Sequence, residues 1–171
     1  MLNIIKARLL KGVVTRRIDA AGKPVFPCEA EGKKLRELII RKFGRSLHVR
    51  EVDTGSCGAC ESEIIACNNP LYDLQRFGVS FVASPRHADC LLVTGPLSKN
   101  MVLALKRTWD AMPEPKFCVT CGDCALNGGP FRDAYYVENG ISSILPVALY
   151  IPGCPPAPQA IITALTAFLS A

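Results

Sequence analysis

The sequence has no long apolar segment. No stretch approaches the roughly 18 consecutive apolar residues that a membrane-spanning helix needs, and the best candidate, residues 157–171, is too short. The first eight residues, Met1-Leu-Asn-Ile-Ile-Lys-Ala-Arg, interleave charges where a signal peptide needs an unbroken apolar core. The Arg16-Arg17 pair is not followed by an apolar stretch either, which argues against a twin-arginine signal. We therefore expect a cytoplasmic chain that does not cross a membrane.

Internal repeats and low-complexity tracts are also absent, and the composition excludes disorder. The 171 residues are 49% hydrophobic and 20% charged, which suits one compact domain with a buried core. Positive charge is concentrated at one end. Residues 1–50 hold 13 Lys and Arg against 4 Asp and Glu, whereas residues 51–171 hold 7 against 11.

The basic segment does not indicate nucleic-acid binding. Phe26 and Phe43 are its only aromatic residues, and it contains no recognisable reading motif. A partner protein or an anionic membrane surface explains the charge equally well, as does a solvated basic face. We expect no nucleic-acid partner.

The chain divides into a basic N-terminal extension, residues 1–45, and a domain, residues 46–171. In the extension, Leu2, Ile5, Leu9 and Leu10 could form one face of a short helix. Gly44 is a plausible end for the helix that the pattern next predicts. The predicted helices cover residues 33–43, 61–67, 99–111 and 158–169, and the predicted strands cover residues 47–52, 78–83, 89–94, 116–121 and 146–151.

Apolar strands that alternate with helices predict an α/β fold with a mostly parallel sheet and helices on both faces. Ligands of such folds bind in loops beyond the carboxyl ends of the strands. Three cysteine-bearing loops fall at those places, namely Cys57-Gly-Ala-Cys60, Cys121-Gly-Asp-Cys124 and Gly153-Cys154-Pro-Pro. The loops are therefore the candidate site.

Nine cysteines in a chain without an export signal favour metal ligation over disulfides. A two-residue spacer lets two thiolates turn toward one centre, and adjacent glycines leave backbone N–H groups free to face sulfur. Cys57, Cys60, Cys121 and Cys124 could also bind zinc, but the gap between the pairs is longer than usual and Cys154 would have no role. A thioredoxin-like site would need only one such pair.

The motifs resemble a known family. The segments are Thr54-Gly-Ser-Cys-Gly-Ala-Cys-Glu-Ser-Glu, Ser84-Pro-Arg-His-Ala-Asp, Gly122-Asp-Cys-Ala with Gly128-Gly129, and Tyr150-Ile-Pro-Gly-Cys-Pro-Pro. In this order they are similar to the small-subunit family shared by [NiFe] hydrogenases and respiratory complex I. The resemblance covers residues 47–170. It implies a flavodoxin-like fold and one [4Fe–4S] cluster held by Cys57, Cys60, Cys124 and Cys154. Cys121 falls just outside the pattern, so a ligand swap with Cys124 stays conceivable.

The spacing of the first motif bears on the branch of the family. The complex I subunit carries two adjacent cysteines there, whereas Gly58 and Ala59 separate Cys57 from Cys60 here, as in the hydrogenases. Periplasmic hydrogenase small subunits are longer and carry a twin-arginine signal. The resemblance therefore implies the short small subunit of a membrane-associated, energy-converting hydrogenase. A complex I-type quinone reductase is the alternative, and a zinc-stapled interaction module is an alternative of another class.

The resemblance also implies partners and a further site residue. A large subunit would carry the nickel–iron centre, a ferredoxin-like subunit would exchange electrons, and membrane subunits would hold the assembly at the cytoplasmic face. Glu63 is placed where a carboxylate could help to move protons, although a helix-start carboxylate is an equally good interpretation.

The remaining cysteines have plainer predictions. Cys67, Cys90 and Cys118 lie in apolar strand or helix contexts, so we expect them to pack as small hydrophobes. Cys28 follows a Phe-Pro pair and is predicted to be exposed and without a partner.

Overall fold

The computed structural model describes residues 28–171. The elements, in chain order, are α1 Glu29–Phe43, β1 Leu47–Asp53, α2 Ala59–Ala66, β2 Val79–Phe81, β3 Cys90–Thr94, α3 Val102–Ala111, β4 Phe117–Cys121, α4 Asp123–Asn127, β5 Val147–Ile151 and α5 Pro158–Ser170. The predicted amphipathic helix over Leu2 to Leu10 lies outside the described residues.

The five strands form one parallel sheet in the order β2-β1-β3-β4-β5. This is the flavodoxin-like strand order. The chain adds β2 on one side of β1 and then crosses over to add β3, β4 and β5 on the other side. The predicted α/β fold is therefore confirmed. All five carboxyl ends lie at one edge, and the loops after β1, β4 and β5 carry the candidate cysteines.

Helices cover both faces of the sheet. On one face α1, α2 and α5 pack on the strands, with Leu35, Ile39 and Ile162 fully buried. On the other face α3 packs through Leu105, and the strand residues Leu91 and Val93 point to that side. The nearly continuous apolar run of β3 suits a strand that is buried on both faces along its whole length.

Helix α1 ends where the sequence predicts. Gly44 takes the left-handed conformation, with φ of 66°, and its N–H donates to the Ile40 carbonyl oxygen at 2.9 Å. The helix packs on α5, and Leu35 and Ile39 belong to the core. The division of the chain at residues 45 and 46 stays a prediction, although this helix shares the core of the domain.

Cys28 corrects one expectation. Its residue surface is only 3% exposed, and it belongs to the same apolar cluster as Leu35 and Cys67. The reason is that α1 begins at Glu29, four residues before the predicted start, so that the residue ahead of the helix reaches the core. Cys67, Cys90 and Cys118 are buried, as predicted.

Within residues 28–171, none of the helices has both the length and the apolar character required to cross a membrane.

Candidate metal centre

The four predicted ligands lie at the carboxyl edge of the sheet. Cys57 is in the loop between β1 and α2, and Cys60 is in the first turn of α2. Cys124 is in the first turn of α4, directly after β4, and Cys154 is in the loop after β5. Cys57 and Cys154 are exposed, whereas Cys60 and Cys124 are each 8% exposed. The site is thus half inside the protein and half open to its surface.

The thiol of Cys124 interacts with the other three. Burial first, and then the neighbouring Cys154, Cys60 and Cys57, raise its pKa to about 11. The loops after β1, β4 and β5 place these four cysteines at the same edge of the sheet.

The described residues 28–171 contain no group of three or more His, Cys, Asp or Glu side chains arranged to hold a metal ion. Four thiolates from three loops fit the Cys₄ ligation of an iron–sulfur cluster, and structural zinc accepts the same donor chemistry.

Two glycines leave room for the sulfur atoms. A Cβ atom at Gly122 would stand 2.7 Å from the Cys60 Sγ, and one at Gly129 would stand 2.9 Å from the Cys124 Sγ. Both glycines have positive φ, which side chains other than glycine rarely adopt. The backbone thus approaches two of the candidate ligands directly, while the glycine N–H groups themselves donate to the Ile151 carbonyl oxygen and to the Asn127 side chain.

The Cys57 loop is held by its polar neighbours. The carboxylate of Asp53 accepts from the N–H groups of Gly55 and Ser56, at 2.8 and 2.7 Å. The buried Thr54 hydroxyl donates to the Thr94 carbonyl oxygen at 2.6 Å and accepts from the Leu97 N–H at 3.1 Å. These bonds tie the loop after β1 to the loop after β3.

Asp123 connects the Cys124 and Cys154 loops. Its carboxylate accepts a short hydrogen bond from the Tyr150 hydroxyl and one of 2.9 Å from the Gly153 N–H. The same contacts lower the pKa of Asp123 and raise that of Tyr150 to about 12. Sequence reasoning missed this pairing, because nothing in the order of residues shows that Tyr150 reaches the loop after β4.

Acidic residues surround the site on the side of α2. Glu63 is half-buried, and it acts electrostatically on both Cys60 and Cys67. Glu61, which follows Cys60, has both carboxylate oxygens buried and without a hydrogen-bond partner in the described part of the chain. Burial raises the pKa of Glu51, and Glu61 adds to the effect. Nothing local in the sequence signals that the Glu51 and Glu61 side chains are buried.

Glu51 and Glu61 line a surface cavity of about 410 Å³ that opens beside α2. Arg50, Ile65 and Phe81 also line it. Ile65 is 71% exposed and Phe81 is exposed at the edge strand β2. The cavity therefore combines buried negative charge with uncovered apolar surface, close to the candidate ligands.

The comparisons with known proteins place this fold and its cysteine loops among oxidoreductase subunits. Residues 57–168 match the protein family described as NADH ubiquinone oxidoreductase, 20 kDa subunit. The chain belongs to this family, whose relatives include subunits of hydrogenases and of NADH-quinone oxidoreductases.

Similar proteins include hydrogenase subunits. Formate hydrogenlyase subunit 7 of Escherichia coli is 44% identical over 143 residues, which are 83% of this chain and 56% of that protein. The chain thus spans just over half of that relative. The "probable membrane-bound hydrogenase subunit mbhJ" of Pyrococcus furiosus is 43% identical over 78% of this chain and 81% of that protein.

A solved structure shares the fold. The membrane-bound sulfane sulfur reductase, described as an archaeal respiratory membrane complex, contains a chain that is 30% identical to this one. The superposition has a TM-score of 0.67 and covers 80% of this chain and 74% of that one. The predicted family resemblance is therefore confirmed.

Proposed function

We propose that this chain carries one [4Fe–4S] cluster on Cys57, Cys60, Cys124 and Cys154. It transfers electrons as the small subunit of a membrane-associated, energy-converting [NiFe] hydrogenase. The observation that carries this proposal is that the four cysteines lie in three loops at the carboxyl edge of one parallel sheet. The two-residue spacer between Cys57 and Cys60 favours the hydrogenase branch.

The chain's own residues would hold and shield the cluster. When bound, the cluster supplies one-electron transfer. The four cysteines would bind it, Gly122 and Gly129 would let the backbone approach its ligands, and Asp123 would fix the Cys154 loop against the Cys124 loop. Glu63, half-buried on α2, would be placed to move protons near the cluster.

The partner large subunit would dock at the cavity beside α2. The supporting observations are the exposed Ile65 and Phe81 next to the buried and unpaired Glu61 carboxylate. An uncovered apolar patch of this kind marks a contact surface, and a buried carboxylate needs a polar or cationic partner. The cluster would then be the one nearest the nickel–iron centre of that subunit.

Further partners follow from the same assignment. A ferredoxin-like subunit would exchange electrons with this cluster, and membrane subunits would place the chain peripherally at the cytoplasmic face. Relatives within larger membrane complexes support this arrangement. The family description names an NADH ubiquinone oxidoreductase, so a complex I-type quinone reductase is the competing assignment.

The test is a nickel, iron and zinc count on the complex that co-purifies with this chain from native membranes without oxygen. We expect nickel together with abundant iron. Iron without nickel would replace the hydrogenase assignment by the quinone-reductase one. Zinc without iron would overturn the cluster itself.

A further inference from the structure

The cavity beside α2 contains buried polar groups without partners. Both carboxylate oxygens of Glu61 are buried, and neither has a hydrogen-bond partner within residues 28–171. The Nε atom of Arg50, which lines the same cavity, is buried and unpaired as well. Buried polar groups of folded proteins are hydrogen-bonded with few exceptions, and an unpaired one destabilises the chain. The cavity is therefore incomplete in the free chain.

The position of the cavity links it to the candidate metal centre. Glu61 directly follows Cys60 in the first turn of α2. Ile65 lies four residues further on, so the two side chains share one face of the helix. Arg50 and Glu51 contribute to the cavity from β1. A group that enters this cavity thus lies beside the proposed cluster.

The formal charge of the cavity is negative. Glu51 and Glu61 contribute one negative charge each and Arg50 contributes one positive charge, which leaves a net charge of −1. The Thr94 hydroxyl donates to the Glu51 carboxylate at 3.2 Å, whereas Glu61 receives no hydrogen bond from the described part of the chain. One cationic group at Glu61 would neutralise the cavity.

The surroundings favour a cationic side chain over a free ion. Ile65 is 71% exposed and Phe81 is 36% exposed, so the cavity is bordered by uncovered apolar surface. The methylene groups of an arginine bury such surface, which a hydrated ion does not. Residues 28–171 also hold no group of three or more side chains suited to a metal ion. The two free oxygens of Glu61 match the paired N–H groups of a guanidinium.

We propose that an arginine of the large subunit enters the cavity beside α2 and pairs with the Glu61 carboxylate. The inference rests on the proposed function, because that function places the large subunit at this cavity. It identifies the residue type that makes the contact and the carboxylate that receives it.

A competing occupant is the basic start of this chain. Residues 1–27 hold six Lys and Arg against one Asp, so their charge would also suit the cavity. The large subunit is favoured by the position of Glu61 next to Cys60, because a subunit that exchanges electrons with the cluster has to approach that edge of the sheet. The experiment distinguishes the two occupants.

The first measurement identifies the occupant by photo-cross-linking. Ile65→p-benzoylphenylalanine is introduced into the full chain, and the assembled complex is irradiated without oxygen. We expect a cross-link to the large subunit, with an arginine within one helical turn of the attached residue. The matched control is the same substitution at Leu103, which is 56% exposed on α3, and it should not label that segment. A cross-link from position 65 to residues 1–27, or to a segment without arginine, would overturn the proposal.

The second measurement uses Glu61→Gln, which should act in opposite directions on the chain and on the complex. In the purified chain it removes an unpaired buried charge, so the urea midpoint should stay or rise. In the complex it leaves the arginine unpaired, so the large subunit should dissociate at least about tenfold faster. Asp110→Asn, at an exposed carboxylate on α3, is the control and should change neither value. A lower urea midpoint would mean that Glu61 is satisfied within the chain, and an unchanged dissociation rate would mean that it has no partner in the complex. Either result contradicts the pairing.

A double-mutant cycle tests the pair itself. Replacing the identified arginine by glutamine should speed dissociation as much as Glu61→Gln does. The double variant should then be at most about threefold faster than either single variant, because the two substitutions remove the same interaction. Rates that multiply would show that the two residues act independently. A complex without nickel is a different result, since it removes the hydrogenase assignment while the cross-linked segment still identifies the occupant.

Discussion

Individual cysteines of this chain differ in how readily they lose their proton. Burial raises the pKa of Cys67 to about 12 and that of Cys118 to about 12, and it also raises the pKa of Cys90. Such thiols stay protonated and inert at neutral pH. Cys57 and Cys154 are exposed at the edge of the sheet instead. Cys60 and Cys124 are buried as well, so burial alone does not separate the proposed ligands from the cysteines that only pack.

Replacing a ligand by serine should remove the cluster, because a serine hydroxyl does not replace a thiolate at iron. We expect Cys57→Ser, Cys60→Ser, Cys124→Ser and Cys154→Ser each to lose most of the iron and the EPR signal of this cluster. Cys118→Ser is the control and should keep both. A full cluster in Cys154→Ser would contradict the ligand set.

Glu51 should make stability depend on pH. Its pKa is raised, chiefly by burial, so the folded chain binds this proton more tightly than the unfolded chain. The contribution of Glu51 to the free energy of unfolding is complete below the pKa of the unfolded chain and is lost as the pH rises through the pKa of the folded chain. At neutral pH the buried carboxylate charge therefore lowers the free energy of unfolding.

Glu51→Gln should therefore raise the free energy of unfolding more at pH 7.5 than at pH 5, by less than about 1 kcal/mol because the group is partly screened. Urea unfolding of the purified chain at both pH values measures this. Glu138→Gln, at an exposed position, is the control. An equal effect at both pH values would contradict a titration of Glu51.

At the scale of elements, the site depends on how neighbouring loops are tied together. The loop after β1 is fixed to the loop after β3 by Thr54, and the loop after β4 is fixed to the loop after β5 by Asp123. The Asp123 contact keeps two parts of the donor set, Cys124 and Cys154, in register, whereas Thr54 fixes the Cys57 loop to a loop that carries no candidate ligand.

Asp123→Ala removes the acceptor for the Tyr150 hydroxyl and the Gly153 N–H. Hydrogen bonds to a charged group contribute about 1.5–3 kcal/mol, so we expect iron to be lost to a chelator about tenfold faster. The decay of visible absorbance measures this rate. Asp110→Ala, at the exposed end of α3, should lose iron at the wild-type rate. Equal rates in both variants would show that Asp123 does not secure the Cys154 loop.

Helix α1 should contribute to the stability of the domain although it lies within the predicted extension. Leu35 is fully buried, and Leu35→Ala should lower the free energy of unfolding by about 2–5 kcal/mol. Leu103→Ala is the control on α3, where Leu103 is 56% exposed, and should change it by less than about 0.5 kcal/mol. Denaturant unfolding measures both changes. If α1 were only an appendage, Leu35→Ala and Leu103→Ala would lower the free energy of unfolding equally little.

The pattern of apolar residues predicted the strands and helices well, because each has one or two buried faces that repeat with a regular period. It did not predict the start of α1. Residues 29–32 have little apolar character, and Gly32 is required by its contact with the Phe77 ring, where a Cβ atom would be 2.2 Å away. Such contacts arise only when distant segments meet.

The candidate site was also predictable from the sequence only in part. Cysteine spacing and flanking glycines identified the candidate ligands, since these signals are local in sequence. The Asp123–Tyr150 pair was not predictable, because it joins loops that follow different strands. The burial of Cys28 was missed for a related reason, namely that it depends on where α1 packs.

At the scale of the whole molecule, charge and apolar exposure are unevenly distributed. The basic residues are concentrated before position 51, whereas the cavity beside α2 is lined by Glu51 and Glu61 and bordered by exposed apolar side chains. A partner that covers this cavity would bury Ile65 and give the Glu61 carboxylate its missing partner. The large subunit is the partner that the proposed function places there.

Ile65→Asp should therefore weaken the attachment of the large subunit while leaving the cluster in place. Ile65 is 71% exposed, so the substitution should change the free energy of unfolding of this chain little. When the large subunit covers the cavity, however, the new aspartate would add a negative charge beside Glu61. We expect a loss of more than half of the co-purifying large subunit, measured by pull-down of the tagged chain under anaerobic conditions.

Leu103→Asp is the matched control, because Leu103 is also an exposed helical residue but lies on α3. Loss of the large subunit in both variants would point to general destabilisation, and full retention in Ile65→Asp would place the interface elsewhere on the chain. Iron content on the captured chain separates these outcomes, since it should be unchanged when only docking is impaired.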